Sequence, residues 1–161
     1  MLDTSEFRAA LGLFATGVTV ITTLDDDSEP HSMTANAFSS ICLDPPTVMV
    51  CIAHGTNTHG FMEKTSKFGV NILRQEQQGL GAHFAKKPED RTADVEFNYS
   101  EADDQVPVLD GSMVFFGCEV LGSHVYGDHT IYIGLVKEMR RNEPGAPLMF
   151  YNSRWYNPAE D

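Results

Sequence analysis

The sequence predicts a mainly β domain with peripheral helices, built as an antiparallel barrel of six or more strands. β-branched and apolar runs recur from Val18 to Tyr151, with the alternating or continuous patterns of half-buried and buried strands. Long βαβ alternation is absent, which argues against a doubly wound parallel sheet. An open antiparallel sheet of this size would leave long unpaired edges, so closure is expected. The 161 residues suit one domain, residues 1–161, without linker or repeat.

Residues 3–16 read as an amphipathic helix. Asp3 caps it, Glu6 follows three residues on, and Phe7, Leu11 and Phe14 form a face expected to pack on the core. Gly17 is the expected stop. Residues 18–23 form a strand, 25–30 a polar turn without calcium-loop spacing, and 31–38 the returning strand. Asp44-Pro45-Pro46 breaks regular structure. Residues 47–53 are a buried strand and 54–58 a polar loop, with Thr58 capping a short helix through Lys67. Residues 68–73 are a strand, 75–86 a helix despite Gly79 and Gly81, and 87–110 a long surface excursion. Residues 112–124 and 129–140 are long strands joined near Gly127. A turn over 142–147 leads to a short strand, 148–151, and an aromatic tail, Trp155-Tyr156.

Acidic residues outnumber basic ones 23 to 11, a net charge of −12. That disfavours nucleic acid and anionic membranes as partners. Cys42, Cys51 and Cys118 are an odd number without CxxC spacing, so thiols in a reducing cytoplasm are expected rather than disulfides or zinc. The opening residues lack a basic-then-apolar signal pattern, and no run of about 18 apolar residues exists. The expected location is cytoplasmic, with no membrane span.

Four segments carry possible chemistry. Residues 32–40 are small, hydroxyl-rich and uncharged. They form either an ordinary polar strand end or a seat where a flat ligand approaches the backbone and meets neutral donors, as a flavin requires. Residues 54–59 are either a plain helix cap or a phosphate seat at a helix start. His83, Phe84, Lys86, Lys87 and Arg91 bring positive charge to an acidic chain. They are either a solvated helix end or the local field a phosphate needs. Gly127-Asp128-His129 is a turn whose carboxylate can orient the imidazole. GxSxG, HExxH, P-loop and GxGxxG motifs are absent, and the six histidines show no metal-ligand spacing.

Taken together, these segments resemble one family. Residues 33–46, MTANAFSSICLDPP, resemble the TANSF-(S)-S-V-S-L-x-P-P signature of the flavin reductase-like split-barrel proteins, the small reductase components of two-component flavin-dependent monooxygenases. Residues 7–23, FRAALGLFATGVTVITT, resemble that family's opening helix and strand. FGVNIL at 68–73, GDHTIYIGLV at 127–136 and PLMFY at 147–151 follow in the family's order. The resemblance implies a homodimeric, six-stranded antiparallel split β-barrel of FMN-binding type, with FMN or FAD near the dimer interface. Met33, Thr34, Ala35, Asn36, Ser39 and Ser40 would line the isoalloxazine, and Cys51, Ile52 and Ala53 would run along it. Asn57 and Thr58 would hold phosphate, helped by His83, Phe84 and the nearby lysines. His129 would be the catalytic residue where the nicotinamide arrives, with Tyr151 and Tyr156 beside it. NADH or NADPH would donate hydride, and a separate oxygenase would receive the reduced flavin. The sequence departs from the family pattern at Ala37, at Gly55-Thr56-Asn57 and at Thr92 after Asp90-Arg91. The alternative on the same barrel is a flavin-binding sensor or electron-transfer module without NAD(P)H turnover.

Overall fold

The computed structural model describes residues 2–103 and 105–156. Met1, Asp104 and residues 157–161, included in the expected domain, lie outside the described residues. The chain runs α1 (Thr4–Gly12), β1 (Thr16–Gly17), β2 (Thr19–Leu24), β3 (Pro30–Ala35), β4 (Phe38–Leu43) and β5 (Pro46–Ala53). It continues through α2 (Asn57–Thr65), β6 (Lys67–Ile72), α3 (Gln78–Phe84), β7 (Tyr99–Glu101) and β8 (Pro107–Leu109). The long β9 (Val114–Tyr126) and β10 (His129–Arg141) are followed by β11 (Met149–Tyr151) and β12 (Arg154–Tyr156).

The main sheet has seven strands in the order β3-β2-β6-β9-β10-β5-β4, every neighbour antiparallel. Its two edge strands, β3 and β4, are separated by only Asn36 and Ala37. A flat sheet of seven strands at ~4.8 Å spacing would hold its edges ~29 Å apart, whereas the step from Ala35 to Phe38 reaches at most ~11 Å. The sheet therefore rolls until its edges approach, and the two edges do not pair with each other. β1, β11 and β12 form a separate small sheet, and β7 and β8 another.

β2 shows why the strand pattern reads as it does. All five residues from Thr19 to Thr23 are buried, because the strand is covered on both faces. Ile21 joins Val50, Ile52, Phe68, Val70 and Tyr132 inside the rolled sheet. Val18 and Val20 face an outer core with Leu73, Phe84, Leu109 and Leu148, against which Phe150 and Trp155 pack. Asn71 ties these layers together: its Nδ2 donates to the Val20 carbonyl (3.0 Å) and Thr22 Oγ1 (3.2 Å), and its Oδ1 accepts from the Leu109 amide (2.9 Å).

Several expectations are corrected. The main sheet has seven strands rather than the six of a closed barrel, because the chain breaks at Asn36-Ala37 and β4 forms its own strand. The break is held by the Phe38 amide donating to the Asn36 carbonyl and the Cys51 amide to the Ala37 carbonyl. The prolines sit in the hairpin between β4 and β5, where Pro46 opens a strand without needing an N–H. α1 does begin at its Asp3 cap, but it ends at Gly12 rather than Thr16, since Thr16-Gly17 pairs with β11. Nor does α1 pack on the core: it buries no residue, and Phe7, Leu11 and Phe14 are 53%, 59% and 77% exposed. Residues 75–86 are a 3-10 turn followed by α3. The segment 87–110 is no mere surface excursion, for β8 buries Val108 and Leu109, and Ala102 and Val106 are buried beside it.

Candidate functional site

Three segments converge on one cleft of about 260 Å³. β3 contributes His31 and Met33, the start of α2 contributes Gly55 to Thr58, and the end of α3 with its following turn contributes Phe84 to Glu89 and Arg91. The helix start explains the second segment. Thr56, not Thr58, is the N-cap: its Oγ1 accepts from the His59 amide at 3.3 Å and donates to the Ala53 carbonyl at 2.7 Å. The helix ends where Ser66 turns left-handed, before Lys67. Asn57 and Thr58 open the helix, where amides have no partner within the helix and a partial positive charge gathers. Thr58 is wholly buried, and its hydroxyl meets His31 Nε2 at 3.0 Å.

The basic segment divides by role. Arg91 is tied down: its guanidinium donates to the Ser32 carbonyl (2.8 Å) and the Lys86 carbonyl (3.2 Å) and lies 5.2 Å from the centre of the Phe84 ring. Lys86 and Lys87 line the cleft without a salt bridge among the described residues, next to a single lining carboxylate, Glu89. His83 lies outside the cleft lining. It is buried between Phe84 and Phe97, its Nδ1 has no partner among the described residues, and burial first, then Arg91 and Lys86, lower its pKa.

The hydroxyl-rich segment lies along β3 and β4. Thr34 Oγ1 donates to the Gly81 carbonyl at 2.7 Å, fastening β3 to α3. Ser39 and Ser40 are exposed on β4, and Asn36 is exposed in the break before it. On β5, Cys51 and Ala53 are half-buried, while the Ile52 side chain is wholly inside the core. Burial pushes the Cys51 thiol pKa up.

His129 opens β10 directly opposite Ala53. Gly127, at φ +59°, supplies the left-handed residue of the turn before it. The exposed Asp128 carboxylate lies 2.7 Å from His129 Nδ1, and this contact is the largest cause holding Asp128 below the ordinary carboxylate pKa. A neutral ring that donates Nδ1–H there leaves its lone pair on Nε2. Tyr151 and Tyr156 stand in the small sheet with ring centres 6.0 Å apart. No hydrogen bond or ring contact joins them to His129 among the described residues.

The structure thus brings Met33, Asn57, Thr58 and Phe84 to one cleft and sets His129 against Ala53, but leaves the two tyrosines apart from His129. Sequence reasoning missed His31 and the Thr56 cap. The period of two along β3, which places His31 and Met33 on one face, was the available signal for His31.

A rolled antiparallel sheet, with a helix start and two lysines meeting at a cleft beside it, defines a β-barrel-like domain suited to a phosphate-bearing ligand. The chain belongs to the flavin reductase like domain family, whose model matches residues 11–159. An NADH-dependent flavin reductase of a Rhodococcus species is 39% identical over 146 residues, covering 89% of this chain and 80% of its own. The NADH-dependent flavin reductase StyB of Pseudomonas fluorescens is 37% identical, covering 96% of this chain and 90% of its own. Among solved structures, the styrene monooxygenase flavin reductase of Pseudomonas putida S12 is similar with a TM-score of 0.85 at 36% identity, covering 94% of this chain and 97% of its own.

Proposed function

We propose that this chain is an NAD(P)H-dependent flavin reductase that supplies reduced FMN or FAD to a partner monooxygenase. The observation that carries the site assignment is the convergence of the α2 start, Lys86 and Lys87 on one cleft. Unpaired helix amides and two ammonium groups suit a phosphate, and the neutral hydroxyls and amide of residues 34–40 suit the carbonyls and nitrogens of a flavin ring. The residues present fit the cofactor.

A bound flavin supplies the hydride acceptor, N5, for the C4 hydride of NADH or NADPH. The remaining tasks fall to the chain. Asn57, the Thr58 backbone amide, Lys86 and Lys87 hold the phosphate end, with Phe84 as an apolar wall and His83 behind it. Met33, Thr34, Ala35, Asn36, Ser39 and Ser40, with the backbone of Cys51, Ile52 and Ala53, carry the ring. The Cys51 amide is already committed to Ala37, so the neighbouring backbone groups do the binding. His129, oriented by Asp128, accepts a hydrogen bond at Nε2 from the arriving nicotinamide carboxamide and positions it for transfer.

The assembly is a homodimeric split barrel. α1 with Phe7 and Leu11, Phe14 just after it, β4 with Ile41 and Leu43, and the hairpin end with Val125 and Tyr126 leave large apolar side chains exposed on a single chain, more than an isolated domain normally shows. Tyr151 and Tyr156 then belong to the nicotinamide side through that assembly.

Titrating FMN and FAD by fluorescence tests the site. Lys86→Ala with Lys87→Ala is expected to weaken flavin binding about tenfold, the scale of losing a charge-assisted hydrogen bond. Unchanged affinity would remove the cleft from the flavin site.

A further inference from the structure

One histidine in the cleft has a fixed protonation pattern that the reductase reading leaves unused. Thr58 Oγ1 is wholly buried, and its one hydrogen-bond partner among the described residues is His31 Nε2, 3.0 Å away. A buried hydroxyl needs an acceptor for its proton, and Nε2 is the acceptor in reach. Thr58 therefore donates, and the ring carries its own proton on Nδ1. The edge of Phe61, with ring centres 4.9 Å apart, braces the imidazole from the side. Burial first, then the nearby Arg91 charge, lower the His31 pKa, and Asp25 pulls the other way. His31 lines the cleft with Lys86 and Lys87, and its Nδ1 has no partner among the described residues.

We propose that His31 donates its Nδ1–H to the phosphate end of the ligand in this cleft, with Thr58 as the positioning residue that fixes the ring's tautomer. The proposal rests on reading the cleft as the flavin phosphate seat. Its donor adds direction without a second fixed charge, and it distinguishes a phosphorylated flavin from riboflavin.

The test is the ratio of FMN to riboflavin affinity, measured on the full chain by fluorescence titration. His31→Leu is expected to lower the wild-type ratio about tenfold. His31→Asn, which places an N–H near the Nδ1 position, restores most of it, whereas His31→Gln, which places one near Nε2, does not. Thr58→Val lowers the ratio, Thr58→Ser restores it, and Thr58→Val adds nothing in the His31→Leu background. Nitrogen NMR of His31 shows the proton on Nδ1 in the wild type and redistributed toward Nε2 in Thr58→Val. A folded His31→Leu variant with an undiminished ratio, or a wild-type ring protonated on Nε2, overturns the proposal while the phosphate seat stands. A wild-type protein that binds riboflavin as tightly as FMN overturns the seat itself, and the proposal with it. Should His31→Leu fail to fold, the Asn and Gln pair decides: equal ratios in the two overturn the proposal.

Discussion

Asn71 shows how a motif residue serves the architecture before it serves chemistry. Its buried amide joins β2, β6 and β8 through the Val20 carbonyl, the Thr22 hydroxyl and the Leu109 amide. Asn71→Ala would leave buried polar groups unpaired, so we expect a loss of about 3 kcal/mol, read as a lower urea midpoint with unchanged slope. Stability within about 0.5 kcal/mol of wild type would contradict this account of the residue. His129 and Asp128 were readable as a pair from their adjacency, and the structure gives that pair a 2.7 Å contact and a place opposite Ala53. His31 was not readable in the same way. Its partner is 27 residues away, and only the rolled sheet brings the two together.

At the scale of elements, the strands richest in β-branched residues were readable to within a residue or two. β2, β5 and β6 lie where residues 18–23, 47–53 and 68–73 predicted them. β4 was missed because an exposed edge strand with Ser39 and Ser40 carries no core pattern, and its burial shows none. β7 and β8 were missed because three residues each are too few to show a period. α1 was recognised as a helix, but the core packing expected of it is absent, since it buries no residue. An apolar stripe states that a face is covered, not which chain covers it. In the homodimer reading that face meets the second copy, so Leu11→Glu with Phe14→Glu is expected to turn a dimer into a monomer in sedimentation equilibrium. A wild-type chain that sediments as a monomer at tens of micromolar would sink that reading.

For the whole molecule, rolling the sheet brings β3 and the α2 start to one cleft, and the pairing of β10 with β5 sets His129 against Ala53. No helix among the described residues is long and apolar enough to cross a membrane. The net charge of −12 opposes a phosphate globally, whereas Lys86, Lys87 and the helix start attract one at the cleft. Local attraction against a repulsive global field suits a flavin that binds, is reduced and leaves. The barrel-like class was readable from strand number and the absence of βαβ alternation. The shape of the cleft was not, because it depends on how far the sheet rolls.

Steady-state oxidation of NADH and NADPH by the purified chain, with FMN, FAD or riboflavin added at increasing concentration, tests flavin reduction itself. A flavin reductase gives nicotinamide oxidation that saturates with free flavin and exceeds the flavin-only rate by orders of magnitude. Tight flavin binding with oxidation no faster than flavin alone would contradict it and leave a flavin carrier or sensor.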